Sequence, residues 1–206
     1  QRSYSWGERE ALDLLGDLAE ATDSNIPHFI GAIVLVNGAE SGMVEIVDGQ
    51  QRLTTLTILL AVLRDLETDK ERAAALHAMI ADDPRPMLGE AANWRLTLNY
   101  MDGAFFRDTI QRLGATKTLR NEPGESDSQQ RMVGNASALL KELKQMPDER
   151  RHALTDTVVT GCALVRVVVN DKDQGFKVFR VLNTRGKEPD AHDIIKTELF
   201  QKAKFS

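Results

Sequence analysis

The sequence predicts an α+β fold in which a large helical subdomain is inserted into a small, sheet-bearing core. Three observations predict it. Residues 29–36 and 43–47 are short, apolar, β-branched runs with the turn-forming stretch 37–42 between them. Residues 70–160 carry a mainly helical pattern, broken at Pro84-Arg85-Pro86 and again in the polar stretch 121–130. Residues 164–169 then return to a strand, with Arg166 as its one charge. The expected division is 1–69 for the N-terminal part of the core, 70–160 for the helical subdomain and 161–206 for the C-terminal part of the core.

The first helix is expected from about Trp6 to Thr22. Ser5 with Glu8 three residues on reads as a capping box, and Ala11, Leu12, Leu15, Leu18 and Ala19 recur at helical spacing. The runs 29–36 and 43–47 form a hairpin that feeds directly into Asp48-Gly49-Gln50-Gln51-Arg52. The next helix is apolar on most faces, through Leu53, Leu56, Ile58, Leu59, Leu60, Val62, Leu63 and Leu66, and such a helix is buried. In the helical subdomain Trp94, Tyr100, Phe105, Phe106, Leu139, Leu140 and Leu143 read as core. Beyond the strand at 164–169, Phe176, Phe179 and Leu182 mark a helix that ends in the loop Asn183-Thr184-Arg185-Gly186-Lys187. Asp190 caps a last helix that carries Ile194, Ile195, Leu199 and Phe200 on one face.

A chain of 206 residues, 42% of them hydrophobic, buries one core with a helical subdomain. It has no long apolar span and no signal peptide, and its single cysteine, Cys162, cannot form an internal disulfide and reads as a small apolar residue at the start of a buried strand. Together these point to the cytoplasm, with no membrane partner. The net charge of −5 argues against nonspecific coating of DNA, whose affinity comes from neutralising phosphates. The charge is uneven: from Lys172 to Ser206 there are eight Lys or Arg against five Asp or Glu. The chain begins at Gln1, inside a motif-like run and without an initiator Met, and so reads as part of a longer protein.

The polar turn 48–52 is the most informative stretch. It stands where a strand stops and a buried helix starts, so helix N–H groups and the positive end of the dipole face whatever occupies it. Gly49 lets the backbone come close, and Gln50, Gln51 and Arg52 supply side-chain donors. A polar turn whose Arg pairs with a nearby carboxylate is the other reading. Thr54 and Thr55 offer hydroxyls, although Thr in a buried helix commonly bonds its own backbone. There is no Gly-rich loop ending in Gly-Lys-Ser/Thr, since Gly186-Lys187 continues into Glu188-Pro189. Asn183, Arg185 and Lys187 form a second cluster, suited either to phosphate contact or to closing a helix C-terminus. His28, His77, His152 and His192 are scattered, without zinc-ligand spacing.

Three ordered blocks carry a resemblance: Gln1-Arg2-Ser3-Tyr4-Ser5-Trp6, then Asp48-Gly49-Gln50-Gln51-Arg52-Leu53-Thr54-Thr55-Leu56, then Phe179 to Lys187 followed by Asp193-Ile194-Ile195-Lys196. They resemble the N-terminal domain of GmrSD-type, modification-dependent restriction enzymes, over almost the whole chain. The resemblance implies a ParB/sulfiredoxin-like mixed sheet core that binds and hydrolyses a nucleoside triphosphate with Mg²⁺ and regulates a DNA-cutting module in antiphage defence. It implies Asp48, Gln51 and Arg52 as catalytic residues, with Asp48 the carboxylate nearest a magnesium ion. The nucleotide would be held by Gly49, Gln50, Gln51, Arg52, Thr54, Asn183, Arg185 and Lys187, and modified DNA would be sensed by Gln1, Arg2, Tyr4 and Trp6. The nuclease module is expected in a C-terminal segment or a separate subunit, and an oligomer is compatible with the sequence. A ParB-like nucleotide-switched DNA-binding module is the alternative. Sulfiredoxin chemistry is excluded, because the places for its reactive cysteine hold Gln50 and Gln51.

Overall fold

The structure is a computed structural model and describes residues 3–24, 27–37, 44–82, 93–119 and 124–184. In chain order these form α1 (Glu8–Thr22), β1 (His28–Asn37), β2 (Val44–Asp48), α2 (Gln50–Leu66), α3 (Lys70–Ala78), β3 (Ala81–Asp82), β4 (Asn93–Trp94) and the short α4 (Gly103–Phe106). There follow α5 (Asp127–Gln145), α6 (Asp148–Asp156), β5 (Cys162–Val169) and α7 (Lys172–Thr184). The fold is α+β, as the sequence predicts. The break at Pro84-Arg85-Pro86 and the last expected helix lie outside the described residues.

The chain packs as two compact units, one drawn from Gln1–Gly31 and Gly49–Leu164 and the other from Ala32–Asp48 and Val165–Ser206. In the first, α2 is the central helix. Its Ile58, Leu59, Val62 and Leu63 are buried with Leu15 and Leu18 of α1 and Met132, Ala136, Leu139 and Leu143 of α5. An apolar helix of this kind has no face to give to water, so helices cover it on several sides. Near its C-terminal end α2 also buries Arg64 and Asp65, which sequence pattern alone would place on a surface. They pair at 2.7 Å, and Arg64 donates to the carbonyls of Gln111 and Arg112 at 2.6 and 2.9 Å. Asp65 accepts from the N–H groups of Gly114 and Thr116 and from the Thr116 hydroxyl. Every charge in the pair is therefore met by a hydrogen bond, as burial requires.

In the second unit α7 packs on β2, and Gly175 of α7 lies so close to Val36 and Val47 that an added Cβ would meet their methyls at 3.1 and 3.2 Å. β1 is the middle strand of a sheet in the order β2-β1-β5. β1 and β2 pair antiparallel, Asn37 opposite Val44 and Val34 opposite Asp48, with a register shift between Val34 and Leu35. The shift leaves one extra residue on β2 just before its end, a bulge that bends the strand where the polar turn begins.

Three local expectations are corrected. The capping box at the start of α1 is not Ser5 with Glu8: Gly7 is the N-cap, and Glu10 Oε2 accepts from its N–H at 2.9 Å. Tyr100 is not core. It stands 98% exposed in the turn before α4, where the buried aromatic of the pair that follows is Phe106. The strand β5 is not buried either: Leu164, Val165 and Val168 are each more than 40% exposed.

Candidate functional site

The polar turn begins with the last residue of β2, Asp48, and the N-cap of α2, Gly49. Gly49 has φ 86° and ψ 4°, the left-handed conformation that glycine adopts without a Cβ clash. It brings no side chain to cap the helix, and the first helical hydrogen bond runs from Leu53 N–H to the Gly49 carbonyl at 3.0 Å. The N–H groups of Gln50, Gln51 and Arg52 thus lie ahead of the helical ladder, at the positive end of the dipole. Thr54, Thr55 and Thr57 turn their hydroxyls back to the carbonyls of Gln50, Gln51 and Leu53, at 2.9, 2.9 and 2.8 Å. Thr54 is fully buried, so its hydroxyl is part of the helix wall.

Successive helical side chains diverge by about 100°, and the three residues after Gly49 part company accordingly. Arg52 runs to β1. Its guanidinium lies against Gly31, where an ideal Cβ would be 2.8 Å from Nη1 and 2.9 Å from Cζ. Gly31 itself has φ +102°, so this position excludes side chains on two grounds, backbone conformation and space. The two residues border an open depression of about 390 Å³ that is also lined by Trp6 and by Glu10, Asp13 and Asp17 of α1. The lining therefore includes one guanidinium and three carboxylates.

Gln51 turns instead to the N-terminal segment. Its Oε1 accepts from the N–H of Ser5 at 2.7 Å and of Trp6 at 3.3 Å, and its Nε2 donates to the Ser3 carbonyl at 3.2 Å. Tyr4, between these residues, points inward and is 3% exposed. Its phenol oxygen accepts from Asn135 Nδ2 at 2.7 Å and lies 2.7 Å from Thr55 Oγ1. Because the Thr55 hydroxyl donates to the Gln51 carbonyl, the order of donation is Asn135 to Tyr4 to Thr55 to Gln51. Asn135 also donates to the Trp6 carbonyl at 3.0 Å. Burial pushes the Tyr4 phenol above its ordinary pKa, against the opposing effect of the Thr55 and Asn135 hydrogen bonds.

Of the expected site residues, Asp48 ends β2, Gly49 is the N-cap of α2 and Gln50, Gln51 and Arg52 form its first turn, with Trp6 and Tyr4 packed beside it, while the hydroxyl of buried Thr54 is turned back to the helix. Asn183 falls in the last turn of α7. Gln1, Arg2, Arg185 and Lys187 lie outside the described residues. Two contributors escaped the sequence reading. Gly31 gave a signal, a lone glycine inside an apolar strand run, which marks a bulge or a close approach. Asn135 gave none, being one polar residue on a long amphipathic helix.

With this geometry in place, comparison with known proteins identifies the class. The chain matches the GmrSD restriction endonuclease, N-terminal domain family over residues 1–200. It belongs to that family, and is thus part of a restriction endonuclease system. No curated protein matches it. Among the described residues no helix is long and apolar enough to cross a membrane.

Proposed function

We propose that this domain binds and hydrolyses a nucleoside triphosphate at the first turn of α2 and thereby regulates the DNA cutting of its restriction system. The observation that carries the reading is the turn itself. A left-handed glycine brings no side chain to the start of the helix, and an Arg three residues on is positioned by a Gly that leaves room for its guanidinium. Backbone N–H groups, helix dipole and a planar two-pronged cation are the donor set that a phosphate chain takes. Restriction-system membership supports the partner side: a nuclease module elsewhere and DNA, modified in the reading favoured here, as the regulating ligand.

Magnesium fits this lining for an electrostatic reason. Glu10, Asp13 and Asp17 border the depression beside Arg52, and they repel a bare triphosphate. A divalent ion carried by the nucleotide reduces that repulsion, and Asp48 is the carboxylate adjoining Gly49 in the sequence. When bound, the ion neutralises charge that develops on the phosphates, while Arg52 and the α2 N–H groups orient them.

The test is calorimetric titration of the full chain with the magnesium complexes of non-hydrolysable GTP and ATP analogues, on wild type, Arg52→Ala and Arg52→Lys. A charge-assisted contact contributes about 1.5–3 kcal/mol, so Arg52→Ala is expected to weaken binding roughly tenfold to a hundredfold. Lysine rescues little, because an ammonium does not reproduce the two-pronged contact. Unchanged affinity with a lowered melting temperature would make Arg52 a structural residue and move the site elsewhere.

A further inference from the structure

We infer that Gln51 is the residue through which nucleotide at the α2 turn controls the N-terminal segment Ser3–Trp6, so that occupancy of the turn tightens that segment. The inference rests on the nucleotide reading above and adds its means of regulation. Gln51 acts here as a positioning residue, its side chain holding the segment while its backbone belongs to the turn.

Two separate links join the segment to the first turn of α2. The Gln51 amide acts as a peptide group would in a neighbouring strand, accepting from Ser5 and Trp6 and donating to Ser3. The second link runs from Tyr4 through the Thr55 hydroxyl to the Gln51 carbonyl. Both end on the same residue, at the second position of the helix, where the N–H group precedes the helical ladder. An anion that fixes this turn therefore fixes both anchors at once. The segment itself is assigned to neither helix nor strand, and the Gln51 amide accepts the N–H groups of both Ser5 and Trp6. Tyr4 fixes the middle of the segment in the core, and Arg131 and Asn135 donate to the Ser5 and Trp6 carbonyls, so the opening at issue is local to the two N–H groups that the Gln51 amide accepts, and it responds to changes at that anchor. Trp6 also lines the depression beside Arg52, which puts the end of the segment against the space the ligand would fill.

The readout is the exchange rate of two amide hydrogens, Ser5 and Trp6, measured by NMR on the full chain with and without the magnesium complex of a non-hydrolysable GTP analogue. The ATP analogue replaces it if that is the one bound. In wild type the probe is expected to slow both amides several-fold. In Gln51→Ala they exchange roughly tenfold faster than in wild type, as loss of a hydrogen bond of ordinary strength implies, and saturating probe slows them far less than in wild type, through the Thr55 link alone. Thr55→Val breaks the second link while keeping the side-chain shape, and is expected to weaken the response; it also serves if Gln51→Ala does not fold. Retention of the full response in either variant overturns the inference. So does a wild type that binds probe with no change at Ser5 and Trp6, which leaves the nucleotide reading standing. A Gln51→Ala protein that melts like wild type yet takes up no probe makes Gln51 a direct ligand and also overturns it. If wild type binds neither analogue, the nucleotide reading fails and the inference with it.

Discussion

Gly31→Ala perturbs the candidate site from the strand behind it, and its consequences for stability and for binding separate cleanly. The added Cβ would lie 2.8, 2.9 and 3.1 Å from Nη1, Cζ and Nη2 of Arg52, inside ordinary contact distance, so the guanidinium must withdraw by several tenths of an ångström. That movement costs little stability, because it is the far end of a flexible side chain that gives way. The backbone is less forgiving. At φ +102° an L-residue is strained, by about 1–2 kcal/mol. For a chain of this size each kcal/mol lowers the melting temperature by about 2–4 °C, so a fall of about 2–8 °C is expected. Triphosphate affinity should fall further than stability suggests, because two-pronged recognition depends on the position of the guanidinium; loss of most of a charge-assisted contact means roughly tenfold to a hundredfold. A double-mutant cycle isolates the cause. On an Arg52→Ala background, Gly31→Ala should still lower the melting temperature but should cost no further affinity. Calorimetric titration and thermal melts on the four proteins decide it. Wild-type affinity in Gly31→Ala, together with a lowered melting temperature, would refute the claim that Gly31 exists to place Arg52.

Asp65→Asn removes the carboxylate that pairs with fully buried Arg64 and accepts from Gly114 and Thr116; a loss of about 3–5 kcal/mol is expected in denaturant unfolding, and a loss under 1 kcal/mol would show that the pair is dispensable. The pH dependence follows from the same contacts. Burial alone would raise the Asp65 pKa, but hydrogen bonds from Arg64 and Thr116 outweigh it and hold the group below the usual aspartate range. A depressed folded-state pKa gives stability that is present above the unfolded value and lost as pH falls through the folded one, so the Asp65→Asn penalty should shrink below about pH 4. Tyr4→Phe keeps the ring in the core and deletes the hydroxyl between Asn135 and Thr55, at an expected cost of about 1–3 kcal/mol in thermal unfolding. Because burial raises the Tyr4 pKa in the folded state, its contribution is complete below the unfolded value and is lost as pH rises through the folded one. The wild-type advantage over Tyr4→Phe should therefore decline above about pH 10, and a pH-independent difference would show that the phenol is not desolvated.

The elements legible in the sequence were those with a strong period or a strong stop. The helix that became α2 announced itself because apolar residues fill nearly every face, and the hairpin because two β-branched runs flank a turn. What escaped was decided by contacts distant in sequence. Ser5 and Glu8 have the spacing of a capping box, yet Ser5 N–H is taken by Gln51, 46 residues away, and the cap falls to Gly7 and Glu10. Tyr100 is the exception: it groups with the aromatics near it, but it carries a polar hydroxyl and stands between Asn99 and Asp102-Gly103, turn residues that mark the exposed turn before α4. Arg64 and Asp65 are adjacent charges near the end of an otherwise apolar helix, where charges ordinarily meet water. The loop 111–116 turns them into a buried pair by supplying backbone partners from about fifty residues on, which no local pattern encodes.

At the polar turn the sequence shows a run of donors but not where each side chain goes. Read as letters, Gln50, Gln51 and Arg52 are one cluster of donors. Placed at the first positions of a helix they diverge by about 100° each, and the structure gives Arg52 to Gly31 of β1 and Gln51 to Ser3, Ser5 and Trp6. Two adjacent residues thus face different parts of the chain from a common backbone. If both side chains bound the ligand, only the path from Tyr4 through Thr55 to the Gln51 carbonyl would join the turn to the N-terminal segment by hydrogen bonds. With Gln51 turned away from Arg52, the turn and the segment are joined by directional bonds, and directional bonds have two states, made and broken, on which a ligand can act. That is why the second glutamine of the run, rather than the arginine, is the position at which loss of regulation and loss of binding should come apart.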